Sequence, residues 1–198
     1  ESLAERLERE GSLPPRDAAR VVVTVLEALA AAHAHDVLHR DLKPENIFLA
    51  REGSAVVPKI LDFGVSKILG DDAERTKMTR TGAIIGTPAY MSPEQVLGDR
   101  LDFRSDLFSF GIVFYEMLTA RRPFEEDPAR TVMQKIRLDR YTRPRSVRKD
   151  VPPVIERILG RCLEKNPAHR YPSTGALCDD LNEYLSRAGV SSHEARLI

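Results

Sequence analysis

Between Ser105 and Ala120 the chain carries Leu107, Phe108, Phe110, Ile112, Val113, Phe114, Met117 and Leu118, so a helix built from this run is apolar nearly all round. Such a helix belongs at the centre of a core, with other elements packed on every side. A chain of 198 residues is long enough to supply them within one domain. The neighbouring sequence is written largely in helical periods. Ser2 and Glu5 have capping-box spacing, Leu3 and Leu7 share a face, and Gly11 stands where a C-terminal cap belongs, which predicts a short first helix. After Pro14 and Pro15 the recurrence of Ala19, Val22, Leu26, Leu29 and His33 predicts a long helix ending near His35 and Asp36. Val132, Met133 and Ile136 suggest another helix, Pro153 opens one through Leu163, and Ser173 caps a last one carrying Leu177, Leu181 and Leu185. The fold class read from these patterns is mainly α, without internal repeats.

One region departs from the helical pattern. Ile47-Phe48-Leu49 and Pro58-Lys59-Ile60-Leu61 flank the turn-like Arg51-Glu52-Gly53-Ser54, which reads as a small β-hairpin. Two polar clusters fall at its open end: His39-Arg40-Asp41-Leu42-Lys43-Pro44-Glu45-Asn46 before it and Asp62-Phe63-Gly64 after it. Pro44 fixes its own φ and disfavours helix at Lys43, so the first cluster is predicted to be an irregular loop that presents its side chains. Two carboxylates, a lysine and an amide gathered at a strand end suit a hard cation and a phosphate group. Taken singly, Asp41 and Asp62 could be loop caps; their joint spacing with Lys43 and Asn46 favours a site. From Val65 to Tyr90 the sequence is polar, with Gly70, Gly82, Gly86 and several threonines, and is predicted to form a mobile loop.

Charge narrows the partners. Lys and Arg number 30, as do Asp and Glu, for a formal net charge of zero, and the two signs are interspersed. Neither the electrostatic footprint of a nucleic-acid binder nor a polybasic membrane patch is evident. No apolar run reaches the length of a membrane span, and Glu1-Ser2-Leu3 lacks a signal-peptide pattern, so a cytoplasmic chain is expected. Cys162 and Cys178 lack metal-ligand spacing and are expected to be free thiols. His33, His35 and His39 have no thiol or carboxylate to complete a zinc set, and His33 falls on the apolar face of its helix, so no zinc is expected. The start without methionine, directly inside a helix signal, suggests a piece of a longer protein.

The loop cluster, Asp62-Phe63-Gly64, the run Gly86-Thr87-Pro88-Ala89-Tyr90-Met91-Ser92-Pro93-Glu94, Asp106 and Arg170 follow in an order that resembles the eukaryotic-like protein kinases, specifically serine/threonine kinases of the bacterial type. The resemblance runs from the first residues to about Leu185. It implies that Asp41 orients the substrate hydroxyl and accepts its proton, that Lys43 stabilises the transferring phosphoryl group of ATP, and that Asn46 and Asp62 hold Mg²⁺. Thr87 would hydrogen-bond near Asp41 and Lys43 and favour serine or threonine acceptors on protein substrates. His39 would be a packed structural residue, Glu94 and Arg170 a buried ion pair, and Asp106 an acceptor for backbone N–H groups of the loop, although an N-cap role alone would also explain an aspartate there. Arg40 would read a phosphate on the loop, with Thr79 and Thr81 as candidate sites and Thr76 behind them, placed there by a trans-phosphorylating kinase partner. Ser92 replaces a usual alanine, and Phe108 stands where many relatives carry tryptophan.

The resemblance also implies parts that this sequence lacks. No Gly-x-Gly occurs, no strand lysine precedes the first helix, and Glu1 lies about where the hinge of a kinase should end. The expected architecture is therefore the C-terminal lobe of the catalytic domain over residues 1–187, with 188–198 as linker or tail and the N-terminal lobe absent. Such a piece alone would bind ATP weakly. The alternative is a truncated, inactive kinase serving as a protein-binding or scaffold module.

Overall fold

A computed structural model describes residues 1–53, 55–62 and 88–189. Its centre is the helix anticipated from its all-round apolarity, here Phe103–Thr119, with every residue from Ser105 to Tyr115 buried. The side chain of Asp102 caps its start by accepting the N–H of Arg104 at 2.8 Å. Asp106 therefore lies beyond the cap, inside the helix, and its carboxylate is free for other work.

Among the described residues the helices are, in chain order, α1 (Leu3–Glu10), α2 (Pro15–His33), α3 (Pro93–Leu97), α4 (Phe103–Thr119), α5 (Val132–Leu138), α6 (Pro144–Val147), α7 (Pro153–Cys162) and α8 (Thr174–Arg187). Between α2 and α3 stand two antiparallel strands, β1 (Ile47–Glu52) and β2 (Ala55–Ile60), paired from Ile47 opposite Ile60 to Glu52 opposite Ala55. The class is mainly α with one hairpin. Pro58 is tolerated in β2 because a two-stranded sheet has only edges, where a missing N–H costs little.

The capping box predicted for α1 is present: Glu5 N–H donates to Ser2 Oγ and Ser2 N–H to Glu5 Oε2. α2 ends at His33, two residues before His35, because Asp36 takes φ +58 and turns the chain, while the N–H groups of His35 and Val37 both close on the Ala32 carbonyl at 3.0 Å. One face of α2 packs against α4 and α8 and the hairpin rests on it. Gly111 lets α7 approach α4, since a Cβ there would stand 2.8 Å from Cys162 Cβ. Both cysteines are free.

Short elements escaped the sequence reading. The 3₁₀ turns Pro44–Asn46, Pro88–Tyr90 and Pro167–His169, together with α3 and α6, are too brief to show a period. Pro88–Tyr90, expected as the end of a mobile loop, is an ordered turn with Ala89 and Tyr90 buried. Phe63, Gly64, Thr76, Thr79, Thr81, Gly86 and Thr87, and the tail from residue 190, lie outside the described residues. Among the described residues no helix is long and apolar enough to cross a membrane.

Candidate active site

The loop from His39 to Asn46 is held at both edges by groups distant in sequence. Asp106, buried in α4, accepts the N–H of His39 at 2.9 Å and that of Arg40 at 2.8 Å, one on each carboxylate oxygen. On the opposite side, Gln95 of α3 donates its amide to the Arg40 carbonyl at 2.7 Å. Arg40 sits at φ +66, in the left-handed region that a long L side chain rarely adopts. Clamping its N–H and its carbonyl from two elements is what makes that conformation stable.

The rest of the loop follows from this anchor. His39 is fully buried; the N–H of Asp41 donates to its Nδ1 at 3.3 Å, so Nε2 carries the ring proton and donates to the Leu61 carbonyl at 3.1 Å. Leu61 returns its own N–H to the Asn46 carbonyl at 2.8 Å. These two bonds fasten the end of β2 to the loop and deliver Asp62, at φ +54 and exposed, alongside Asn46. Lys43 Nζ lies 3.1 Å from Asp41 Oδ2, and that carboxylate side chain is 42% exposed.

Asn46 donates Nδ2 to the Asp41 carbonyl at 2.9 Å. A carbonyl can only accept, so the amide orientation is fixed, and Asn46 Oδ1 is the side-chain oxygen that could serve as a ligand. An amide oxygen and a free carboxylate are the hard donors that Mg²⁺ takes together with phosphate oxygens and water, so the residues present fit that ion. Among the described residues no cluster of three His, Cys, Asp or Glu side chains could hold a metal by itself.

Asp41, Lys43, Asn46 and Asp62 thus come together at the open end of the hairpin, while Glu94 and Arg170 lie elsewhere, in the core. Arg170 donates Nη1 to Glu94 Oε1 at 2.6 Å and Nη2 to Oε2 at 2.9 Å, and Ser105 Oγ adds a bond to Oε1 at 2.7 Å. Burial pushes the Glu94 carboxyl up, but the bonds and charge of Arg170, with Ser105, outweigh it and hold the group below the usual glutamate range. Phe108, the smaller ring where many relatives carry tryptophan, stacks on Phe124 at 6.1 Å and lies under the Arg170 guanidinium at 4.9 Å. Ser92, the other departure, caps α3: it accepts Gln95 N–H while its own N–H donates to Gln95 Oε1.

Three contributors were not foreseen. His33 donates Nε2 to Asp106 Oδ2 at 2.8 Å and meets Thr174 Oγ1 at 2.8 Å through Nδ1, linking the start of α8 to the residue that anchors the loop. Gln95 was legible only as the fourth residue of a capping box beginning at Ser92. Tyr90 donates its hydroxyl to Glu116 Oε2 at 2.7 Å, and burial holds the Glu116 carboxyl above its usual range against that bond. Replacing His33 by leucine removes a hydrogen bond to a buried carboxylate and should cost about 1.5–3 kcal/mol in urea unfolding. His33→Gln, which can still donate, should recover part of it, and an unchanged unfolding midpoint in His33→Leu would overturn the linkage.

A loop pinned to a core helix, with a carboxylate, a lysine and two oxygen donors at a hairpin mouth, offers groups suited to a hard cation and a phosphate. Residues 1–181 match the family model described as protein kinase domain, and the chain belongs to the protein kinase family. It is 41% identical over 184 residues to the serine/threonine-protein kinase pkn3 of Myxococcus xanthus, covering 91% of this chain and 34% of that protein. It is likewise 41% identical over 185 residues to Pkn1 of the same organism, and 35% over 181 residues to PknB of Mycolicibacterium smegmatis, covering 26% and 28% of those proteins. The chain therefore spans about a third or less of the length of these curated relatives.

Proposed function

We propose that this chain is the C-terminal lobe of an ATP-dependent serine/threonine protein kinase, over residues 1–187, and that its chemistry is phosphoryl transfer to protein hydroxyls. The observation that carries this reading is Asp41: a carboxylate open to solvent, on a strained and doubly clamped loop, with Lys43 Nζ 3.1 Å away. Phosphoryl transfer asks little covalent work of a protein and much positioning. Asp41 orients the acceptor hydroxyl and takes its proton, Lys43 offsets charge on the transferring group, and Thr87 helps to seat the acceptor. Asn46 Oδ1 and Asp62 would hold Mg²⁺, an ion that when bound would supply positive charge beside the phosphates of ATP.

Nucleotide binding needs a second wall, so this chain by itself should bind ATP weakly, and a longer protein that adds a glycine-rich loop and a strand lysine should bind it well. Incubating the full product with γ-labelled ATP, Mg²⁺ and a generic serine/threonine protein substrate tests the proposal. Label on serine or threonine is expected; intact folding with no transfer would favour the scaffold reading instead. Within the same proposal, Arg40 is the receptor for a loop phosphate on Thr79 or Thr81. Thr79→Ala combined with Thr81→Ala should lower turnover of the full product, and unchanged turnover would remove this regulatory role.

A further inference from the structure

Acid and base cancel over the whole chain but not between Arg137 and Lys149. That stretch, running from the last turn of α5 through α6, carries Arg137, Arg140, Arg143, Arg145, Arg148 and Lys149 against one carboxylate, Asp139, for a net charge of +5. The other residues together must then carry −5.

Local acids neutralise it only in part. Asp139 is paired with Arg130, Asp150 with Arg148, and Glu156 accepts the backbone N–H of Arg145. Arg148 is also consumed structurally, donating Nη1 to the carbonyls of Leu13 and Leu118. Arg137, Arg140, Arg143, Arg145 and Lys149 are exposed, and among the described residues none enters an ion pair.

We propose that this strip is a docking surface for an acidic segment of the protein substrate, an inference that rests on the kinase reading above. Guanidinium groups suit carboxylates because they offer paired N–H donors in a plane. The strip starts on α5, which packs against Pro88–Tyr90 and α3. Pro88 directly follows Thr87, to which the proposal above gives a role in seating the acceptor, and α3 supplies the Gln95 clamp on the loop from His39 to Asn46. An acidic segment held there raises the effective concentration of an acceptor elsewhere on the same polypeptide.

A polypeptide fits better than the other polyanions. Tyr141, the aromatic residue of the stretch, is half-buried with its ring edge-on to Tyr115 at 6.2 Å, so it offers no platform for stacking bases. Apart from Arg137 at the end of α5, the cations sit on irregular chain and a four-residue helix, and the large exposed apolar side chains of the stretch are Leu138 and Val147, which is not the amphipathic face of a membrane-surface helix.

The test compares the full gene product with its Arg140→Glu, Arg143→Glu, Arg145→Glu variant, both checked for folding by thermal melting. Binding of a labelled oligoglutamate peptide is read by anisotropy. The charge-reversed protein should bind about tenfold more weakly or worse, as three lost surface pairs imply, and binding to the parent should fall with added salt. Phosphorylation of a short neutral acceptor peptide should stay the same in both, while a protein substrate bearing an acidic tract should lose rate only in the variant. Equal peptide binding by the two proteins, or preference for anionic vesicles or single-stranded DNA over the peptide, would overturn the proposal. Absent phosphorylation of the neutral peptide by both proteins would instead count against the kinase reading, because the docking is measured by binding alone.

Discussion

Asp41→Asn in the full gene product should lower phosphoryl transfer by about 10²–10⁴-fold, the usual contribution of a positioned proton acceptor. The amide keeps the shape of the side chain but cannot take a proton, so the loss falls on the chemical step and not on nucleotide affinity. Folding should be nearly untouched. The Asp41–Lys43 pair is partly exposed, with the Asp41 side chain 42% open to solvent, and solvent-screened pairs contribute only about 0–1 kcal/mol. The loop is instead held by the backbone bonds to Asp106 and Gln95, which the substitution leaves intact. Single-turnover rates beside a melting curve check this. A variant that transfers phosphate at the parent rate would remove Asp41 from the chemistry.

Arg170→Met should have the largest effect on stability, about 3–5 kcal/mol, because it strands a buried carboxylate. The guanidinium is fully satisfied: Nε donates to the Glu164 carbonyl, Nη1 to Glu94 Oε1 and the Arg104 carbonyl, and Nη2 to Glu94 Oε2 and the Lys165 carbonyl. All five donors of an arginine are thereby used, and lysine, with three donors around one nitrogen, cannot replace it. The double variant Glu94→Gln, Arg170→Met should regain part of the loss by removing the stranded charge. Urea unfolding measures both, and a loss below about 1 kcal/mol in the single variant would contradict a desolvated pair.

The same pair sets a pH dependence whose sign can be worked out. Glu94 is held below its usual value of 4.5 in the folded chain, so the stability it contributes is present above the ordinary glutamate range. It is lost as pH falls through the lowered folded-state value. In Arg170→Met, burial acts on the carboxyl without its partner and raises it, so acidification should stabilise that variant relative to neutral pH. Opposite slopes of unfolding free energy against pH in the two proteins are the expected result.

Much of this architecture is written locally. Ser2 and Glu5 announce the start of α1, the all-round apolarity of residues 105–120 places α4 in the core, and the polar clusters flanking Ile47–Ile60 mark where the site lies. Helical period, caps and turn residues act over a few positions, which is why they can be read from a single chain. His33 shows the limit. Its place on an apolar helical face is the correct local reading, yet its partners Asp106 and Thr174 are 73 and 141 residues away. The left-handed Arg40 is decided in the same manner: nothing in its neighbours requires φ +66, and α3 and α4, arriving from beyond residue 92, supply an acceptor and a donor that hold its backbone. The basic strip combines both levels. The sequence by itself determined its charge, whereas the tertiary structure decided that Asp139 pairs with Arg130 and that, among the described residues, only Arg148 of the six cations enters an ion pair. The elements, the core helix and the identity of the site's chemical groups are thus set by short-range sequence, and the geometry that aims those groups is set by hydrogen bonds that exist only once distant segments have packed together.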